Sequence, residues 1–416
     1  MFPTRPIMRS LMRTLKSLIM PLLVLAAVIF GASTALSQGW DAGGSIGAEA
    51  RIFSDDPAFA AQEDGVQTSI ILEGDFRWRS ADRRHQFVLV PWARIDAVDD
   101  ARSHADLREG FYRFVGDELT VEAGLIKVFW GVTESRHLVD IINQTDGVED
   151  SDGEDKLGQP AIRLTRQTGW GRLEAYLLPG FRERTFPGIE GRLRGPLIVD
   201  TDAPLYEHAD EERHVDFAAR WSHYLGDWDL GLAAFHGTSR EPFFVPSTDG
   251  QSLRPVYTII SQLSADVQLT RGAWLWKGEA IVREGQGDTF AAFTGGLEYT
   301  FYGVTASGAD LGLLVEYHSD GRDNDPSVAP PTAFDNDVFL GGRFAFNDMN
   351  DTSLLGGAII DVENGSSAVL IEAERRLGTH IFVEIEGRFT ANIDPADALA
   401  AVQDDNAVSL RITRHF

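Results

Sequence analysis

Charged residues occupy every second position in several short segments of the sequence. In the segment from Ser69 to Arg79, Glu73, Asp75 and Arg77 alternate with apolar residues. Polar and apolar residues alternate in the same way in the segments 262–270, 274–283 and 380–390, with charges among the polar residues of each. A period of two is that of a β-strand, so the charged side chains of one segment share a face. Because a charge is costly against hydrocarbon, we expect this face to border water and the apolar face to contact lipid.

The charged face is predicted to line an aqueous pore, whose charges would select among ions and solutes. The candidate lining residues are Glu73, Asp75, Arg77, Arg94, Arg220, Lys277, Glu279, Glu384, Glu386, Arg388 and Arg411. A structural role is the alternative for each of them. Opposite charges on neighbouring strands, such as Glu386 and Arg411, would pair and hold the register. The sequence leaves both roles open.

The connection from Val132 to Gly158 is the most informative segment. It is too long for a hairpin turn and contains an apolar run, Leu138–Ile142, that must be covered. Folding inward to narrow the pore would cover this run, and a packed outer cap is the alternative. For the inward form, we predict a constriction lined by Glu134, Arg136, Asp140 and Asn143.

Carboxylates cluster near the end of this connection, from Glu149 to Asp155. Carboxylate oxygens are ligands that Ca²⁺ prefers, but the spacing of the common calcium-binding loop is absent. We expect a solvated loop here, and we predict no metal site and no cofactor. Because no spacing of Ser, His and Asp in the sequence indicates a catalytic triad, we also predict no enzymatic activity.

Short turns and long links alternate along the chain. Turns such as Gly226-Asp227 alternate with longer, acidic links such as 180–213. This order predicts an all-β fold, a single transmembrane antiparallel β-barrel of about eighteen strands. Its short turns and both termini would be periplasmic, and its long loops extracellular. Sixteen strands is the alternative, because Lys127 breaks the alternation between Leu119 and Trp130 and suggests a bulge.

The two ends of the chain fit this architecture. Residues 1–37 combine a basic start, an apolar segment from Leu18 to Phe30 and a small-residue end, which is the pattern of a cleaved signal peptide. The barrel is therefore predicted to span 38–416. The last ten residues alternate like a strand and end on Phe416. This end resembles the C-terminal signature that the assembly machinery of bacterial outer-membrane barrels reads, although Arg414 stands where an apolar residue is usual.

Composition argues against several other classes. The 416 residues include no cysteine and carry a formal net charge of −26. Disulfide scaffolds and thiolate chemistry are thereby excluded, and a nucleic-acid partner is disfavoured. A soluble all-β fold would need an apolar inner face, whereas these segments pair an apolar face rich in Trp and Tyr with a charged one. The excess of acid suggests a preference for cations.

Between Gly124 and Asp146, a strand that ends in Trp-Gly is followed by Glu-Ser and then by Ile-Asn…Asp. These residues are Trp130-Gly131, Glu134-Ser135 and Ile142-Asn143 with Asp146. The segment resembles part of a family of uncharacterised Gram-negative outer-membrane proteins. More loosely, it is similar to alginate-export and phosphate-selective porins. Leu125-Ile126 stand where members of the family often have Arg-Gln, so the substrate stays open.

The resemblance implies an outer-membrane channel for passive or substrate-selective diffusion of small solutes. Its expected partners are outer-membrane lipid, lipopolysaccharide and, through Phe416, the barrel assembly machinery. Both a monomer and a homotrimer stay open. The alternative function is that of a closed-lumen structural barrel or a surface-binding adhesin without transport.

Overall fold

The computed structural model describes residues 39–150 and 152–416. The predicted signal peptide, 1–37, lies outside the described residues. Among those residues, no helix is long and apolar enough to cross a bilayer. Within 39–150 and 152–416, short 3₁₀ turns lie in the links at Asp100–Arg102, Glu211–Arg213 and Ala398–Val402.

Strands make up most of the described chain. In chain order they are β1 (Trp40–Phe53), β2 (Val66–Arg79), β3 (His85–Asp96), β4 (His104–Val115), β5 (Leu119–Ile126), β6 (Gln159–Thr168), β7 (Gly171–Pro179), β8 (Ile198–Val199), β9 (Leu205–Tyr206), β10 (Val215–Leu225), β11 (Trp228–Thr238), β12 (Phe243–Pro246), β13 (Ser252–Tyr257), β14 (Ile259–Arg271), β15 (Trp274–Glu284), β16 (Phe290–Phe301), β17 (Asp310–Asp320), β18 (Asn336–Ala345), β19 (Ser353–Asp361), β20 (Ser367–Leu377), β21 (Ile381–Ala391) and β22 (Ala407–His415).

Eighteen of these strands close into one barrel, and the short β8, β9, β12 and β13 form a separate small sheet in the loops. Each barrel strand pairs antiparallel with the next, and β22 pairs with β1. The backbone of Phe416 extends this last seam, since its amide donates to Gly44 O at 3.0 Å and its carbonyl accepts from Gly44 N at 3.1 Å. The prediction of eighteen strands is confirmed, and the alternative of sixteen is wrong.

The two faces of the barrel wall differ as the alternation predicted. On β14, Gln262 and Asp266 are buried on the inner face, whereas the outward Leu263 is 65% exposed. Exposed aromatic residues surround the end that carries the short turns. They are Trp170, Tyr224, Trp228, Trp274 and Tyr302. An apolar band with an aromatic girdle is the outer surface of a transmembrane barrel.

The bulge predicted at Lys127 is not present, because β5 ends at Ile126 and the chain leaves the wall there. The irregularity lies instead between β3 and β4, where the register shifts at Val90/Pro91. Proline has no amide hydrogen for the ladder, which favours a bulge at this point. The shift leaves Arg108 of β4 as an extra residue, and its Nη1 donates to Asp146 at 2.5 Å.

Gly124 of β5 lies where the backbones of two neighbouring strands approach too closely for a side chain. It has a φ of +138°, and a Cβ placed there would lie 2.2 Å from the carbonyl oxygen of Gly110. We expect Gly124→Ala to lower the free energy of unfolding by about 1–3 kcal/mol, because both strain and overlap are introduced. Urea unfolding in detergent micelles, followed by tryptophan fluorescence, measures this. Gly169→Ala, where a Cβ meets no atom within 4 Å, is the matched control and should leave the transition unchanged.

Candidate solute passage and its inner loop

The connection between β5 and β6, residues 127–158, folds into the barrel, and we call it the inner loop. Asn143 closes its base. The side chain accepts from Val128 N at 2.8 Å and donates to the carbonyls of Ile126 and Leu157, both at 2.8 Å. Because Asn143 is 1% exposed, its contacts lie within the base of the loop.

The apolar run of the inner loop packs on an apolar patch of the inner wall. Val139 and Ile142 are fully enclosed. They belong to one cluster with Ile260 of β14 and Ile281 of β15, whose side chains face inward. Covering this much apolar surface from water is the main gain from folding the loop inward rather than over the mouth.

The tip of the inner loop is held by the carboxylate of Glu279 on β15. One oxygen accepts from Val132 N at 2.6 Å and from the amide and hydroxyl of Thr133 at 3.1 and 2.7 Å. The other accepts from Val139 N at 3.1 Å. Glu279 is 1% exposed and has no ion pair among residues 39–150 and 152–416. These loop donors therefore supply the compensation that a buried carboxylate needs.

Glu316 of β17 holds the loop in the same way. Its oxygens accept from Glu134 N at 2.7 Å, from Ser135 N at 2.9 Å and from Ser135 Oγ at 2.6 Å. Ser135 Oγ also lies 3.0 Å from His318 Nε2. This pair lacks the arrangement of a triad, because the hydroxyl proton points to Glu316 and His318 Nδ1 faces Thr294 rather than a carboxylate.

Ion pairs extend the attachment to the far wall. Lys277 Nζ donates to Glu134 at 3.2 Å, and Arg343 Nη2 donates to the same carboxylate at 2.6 Å. Arg136 Nη2 binds Asp320 at 2.5 Å. The loop leaves the wall at β5 but is bonded to β15, β17 and β18, so it crosses the lumen.

The four predicted constriction residues therefore take different positions. Glu134 keeps a side-chain exposure of 18% beside Lys277, whereas the side chain of Arg136 is 10% exposed. Asp140 is buried inside the loop, where it accepts from Lys156 Nζ at 3.3 Å and from Trp130 N at 3.3 Å.

The carboxylates near the end of the inner loop are bound by arginines of the opposite wall. Arg94 of β3 donates to Glu149 at 2.5 Å and to Glu49 of β1 at 2.8 Å. Arg51 binds Asp150 at 3.0 Å. The solvated loop expected for 149–155 is wrong at these positions, since Glu149 and Asp150 are buried. The arginines already neutralise the charge that a metal ion would otherwise have to balance.

A second set of lining candidates lies on the accessible inner faces of β18–β22, which we call the open wall. Glu374 and Glu384 are exposed, and Glu372 and Glu386 are partly exposed. The register places Glu372 opposite Glu386 and Glu374 opposite Glu384. Arg388 binds Asp150 at 2.6 Å, Asp152 at 2.5 Å and Glu386, so it joins the open wall to the inner loop.

The predicted pair of Glu386 with Arg411 is not formed. The register sets Ser409 opposite Glu386 and Arg411 opposite Glu384. Arg411 instead donates to Glu49 of β1 at 2.7 Å, because the barrel closes there and β1 brings a carboxylate to its other side. The sequence of β21 and β22 alone could not predict this pair, because Glu49 reaches Arg411 only when β1 pairs with β22 to close the barrel.

The remaining lining candidates divide between the passage and the packed side. Asp75 and Arg77 bind each other at 2.8 Å with both side chains well exposed, and Glu73 is partly exposed. Arg220 is bound to Asp266 at 2.7 Å with 11% of its side chain exposed. Sequence reasoning missed Glu316, since apolar residues precede it on the inner face of β17, and it missed Glu49, which follows a run of small residues.

Burial and neighbouring acids raise the pKa values of two carboxyl groups of the inner loop. Burial first, then the charges of Asp152 and Glu372, raises the pKa of Glu154 to about 7. Burial, with Glu149 and Asp152, raises the pKa of Asp155 to about 6. Glu154 is therefore about half ionised at neutral pH and Asp155 mostly ionised, and both lose their negative charge in mildly acidic solution.

A second long loop, residues 180–214, lies over the inner loop, and we call it the lid loop. Thr185 Oγ1 donates to Asp146 of the inner loop at 2.5 Å. Farther along, Arg192 binds Asp405 at 2.5 Å and the carbonyl of Glu63 at 3.1 Å. These partners precede β22 and β2, so the lid loop reaches from β7 across the mouth to the opposite rim.

No protein-family model matches this chain, and no curated protein matches its sequence. Solved structures match its fold. Wzi of Escherichia coli, an outer-membrane protein involved in group 1 capsule assembly and described as a carbohydrate-binding β-barrel, has a TM-score of 0.51 and 9% identity over 88% of this chain and 83% of Wzi. OccK11 (OpdR) of Pseudomonas aeruginosa has a TM-score of 0.51 and 10% identity over 91% of this chain and 95% of that one.

A variant of the Rh. blastica porin also matches, with a TM-score of 0.45 and 13% identity over 91% of this chain and 100% of the porin. The matches show the fold, which is that of the bacterial outer-membrane β-barrels. The resemblance of the inner loop to a particular family stays a prediction.

The hydrogen bonds that Glu279 accepts from residues 132–139, which we call the Glu279 clamp, can be tested by weakening them. In Glu279→Gln, one of two acceptor oxygens becomes a donor that faces Val139 N, so the loop tip should detach. We expect larger and noisier single-channel conductance in planar bilayers, and a stability lower by about 1–3 kcal/mol. Glu298→Gln is the control, because Glu298 of β16 has no hydrogen bond to the described part of the inner loop. Unchanged conductance in Glu279→Gln would contradict a gating role for the clamp.

Proposed function

We propose that the protein is an outer-membrane channel through which small solutes diffuse passively, between the inner loop and the open wall. The inner loop is bonded to β15 and β17 on one side and through Arg94 to β3 on another. The side packed against the loop is thus filled. The accessible charged side chains concentrate on β20 and β21, which leaves the passage on that side of the lumen.

The observation that carries the proposal is the presence of two opposed pairs of glutamates on the open wall. Glu372 faces Glu386, and Glu374 faces Glu384, directly across the β20–β21 ladder. Like charges in this position destabilise a sheet by about 0.2–1 kcal/mol per pair. A wall whose only task was structural would gain by replacing them, whereas a passage for cations gains from a row of carboxylates in water.

These acids outweigh the bases beside them and support a preference for cations. Glu154 of the inner loop extends this negative region, because it lies close enough to Glu372 for the charge of Glu372 to raise the pKa of Glu154. Asp155 is the next residue of the same loop. The proposed partners remain lipid and lipopolysaccharide around the apolar band, and the barrel assembly machinery at Phe416. Assembly as a homotrimer is a further proposal.

Neutralising one opposed pair should lower cation preference while stabilising the wall. For the double variant Glu374→Gln/Glu384→Gln, we expect the cation-to-anion permeability ratio to fall by ~2-fold or more, and the unfolding transition to shift to higher urea. Reversal potential in a salt gradient measures the ratio. Asp249→Asn, an exposed loop residue, is the matched control. A preference for anions in the unaltered protein would refute the proposal, and absence of conductance steps would favour the closed-lumen binding barrel.

Acidic solution should weaken the preference in the same assay. As pH falls from about 8 to about 5, Glu154 and then Asp155 gain protons, because their pKa values lie near 7 and 6. Each loses a negative charge near the passage, so the permeability ratio for cations should decrease. Glu154→Gln should remove the change in the permeability ratio near pH 7 and leave the change near pH 6, which belongs to Asp155. A ratio independent of pH over this range would show that these carboxylates lie away from the ion path.

A further inference from the structure

Arg184 of the lid loop differs from the other arginines around the mouth of the barrel. Arg102, Arg192 and Arg322 are each ion-paired at 3.1 Å or less. Within residues 39–150 and 152–416, the guanidinium of Arg184 has no hydrogen bond and no ion pair. Its Nε is enclosed and has no hydrogen-bond partner there, and the residue as a whole is partly exposed. An arginine in this state has the cost of desolvation without the compensation of an anion.

The surroundings hold this guanidinium in place. The amide of Arg184 donates to Tyr257 Oη at 3.1 Å, and the adjacent Thr185 is bonded to Asp146 and to Val148 N of the inner loop. A Cβ on Gly147 would lie 3.1 Å from Arg184 Nε, so the glycine lets the side chain rest on the loop backbone. The cation is therefore preorganised, which reduces the entropy that binding a partner costs.

Phe186 lies beside this cation, and Phe244 contacts Phe186. The ring of Phe186 lies 5.9 Å from Arg184 Cζ, and it meets the ring of Phe244 at 5.6 Å and 76°. Both rings are partly exposed. A planar guanidinium edge matches a carboxylate in bidentate fashion, and aromatic faces favour an apolar or ring-shaped body.

We propose that Arg184, Phe186 and Phe244 form a binding site in the extracellular vestibule for a carboxylate that carries an apolar or aromatic ring. The site lies on the outer side of the inner loop. It is independent of whether the lumen conducts, because its residues belong to the lid loop and to β12.

The acids near Arg184 are already occupied by other partners. Glu241 raises the pKa of Arg184, but its carboxylate is bound by Arg283 at 2.5 Å. Glu183 accepts from Tyr206 Oη at 2.5 Å. Burial lowers the pKa of Arg184 more than these charges raise it, yet an arginine stays protonated at neutral pH. An incoming carboxylate would thus meet an unneutralised cation.

Calorimetric titration of the detergent-solubilised barrel with sodium benzoate tests the proposal. We expect a dissociation constant on the order of 1 mM, and weaker binding of acetate, which lacks the ring. Arg184→Gln should weaken benzoate binding by ~10-fold or more. Arg213→Gln removes the same charge from an exposed position of the same loop and should leave binding unchanged.

A second variant separates the ring from the charge. Phe186→Leu should weaken benzoate binding and leave acetate binding nearly as it was. The shift of the folded barrel on unheated electrophoresis confirms that each variant is assembled. No benzoate binding to the unaltered barrel up to about 10 mM, or equal binding to Arg184→Gln, would overturn the proposal.

Discussion

The inner loop depends on two buried carboxylates that have no cationic partner in the part of the chain that the structure describes. Glu279 and Glu316 stand on β15 and β17, and both are compensated by amides and hydroxyls of residues 132–139. In a low-dielectric site this compensation is obligatory, because an unpaired carboxylate would cost several kcal/mol (on the order of 3 or more). The wall and the loop are thus coupled: the wall needs the loop amides, and the loop gains a fixed path across the lumen.

This coupling explains why the lumen is asymmetric. The apolar cluster of Val139 and Ile142 fills the side next to β14 and β15, and Arg94 holds Glu149 at β3. What is left open borders β20 and β21, where accessible glutamates oppose one another. Like charges can face each other where water screens them, whereas the carboxylates on the packed side are compensated by arginines or by loop amides. This difference fits the proposed division of the lumen into a packed half and a water-filled half.

The fold could be predicted from the sequence to a large extent, and the site could not. Alternation of period two indicates which face of a strand each residue occupies, whatever the neighbouring strands are. The charged inner face was therefore predictable from each segment, and the number of strands from the number of segments. The partner of a residue depends on closure and loop path. Arg411 therefore appeared to pair with Glu386, whereas closure gives it Glu49. Lys127 appeared as a bulge, whereas it marks where the chain leaves the wall.

The charged groups inside this barrel differ in whether a neighbouring residue already compensates their charge. Most charges inside this barrel are explained by a partner: Arg94 by Glu49 and Glu149, and Arg220 by Asp266. Those pairs hold loops and register, and they are poor candidates for contact with a solute. Among the described residues, two groups stand apart: the glutamates of the open wall, which oppose one another although Arg388 binds Glu386, and the guanidinium of Arg184, which has no ion pair. Folding alone gives no reason to keep like charges face to face or a cation half-buried and unpaired. In the proposed function, a mobile cation at the first place and a carboxylate at the second would each supply the missing charge.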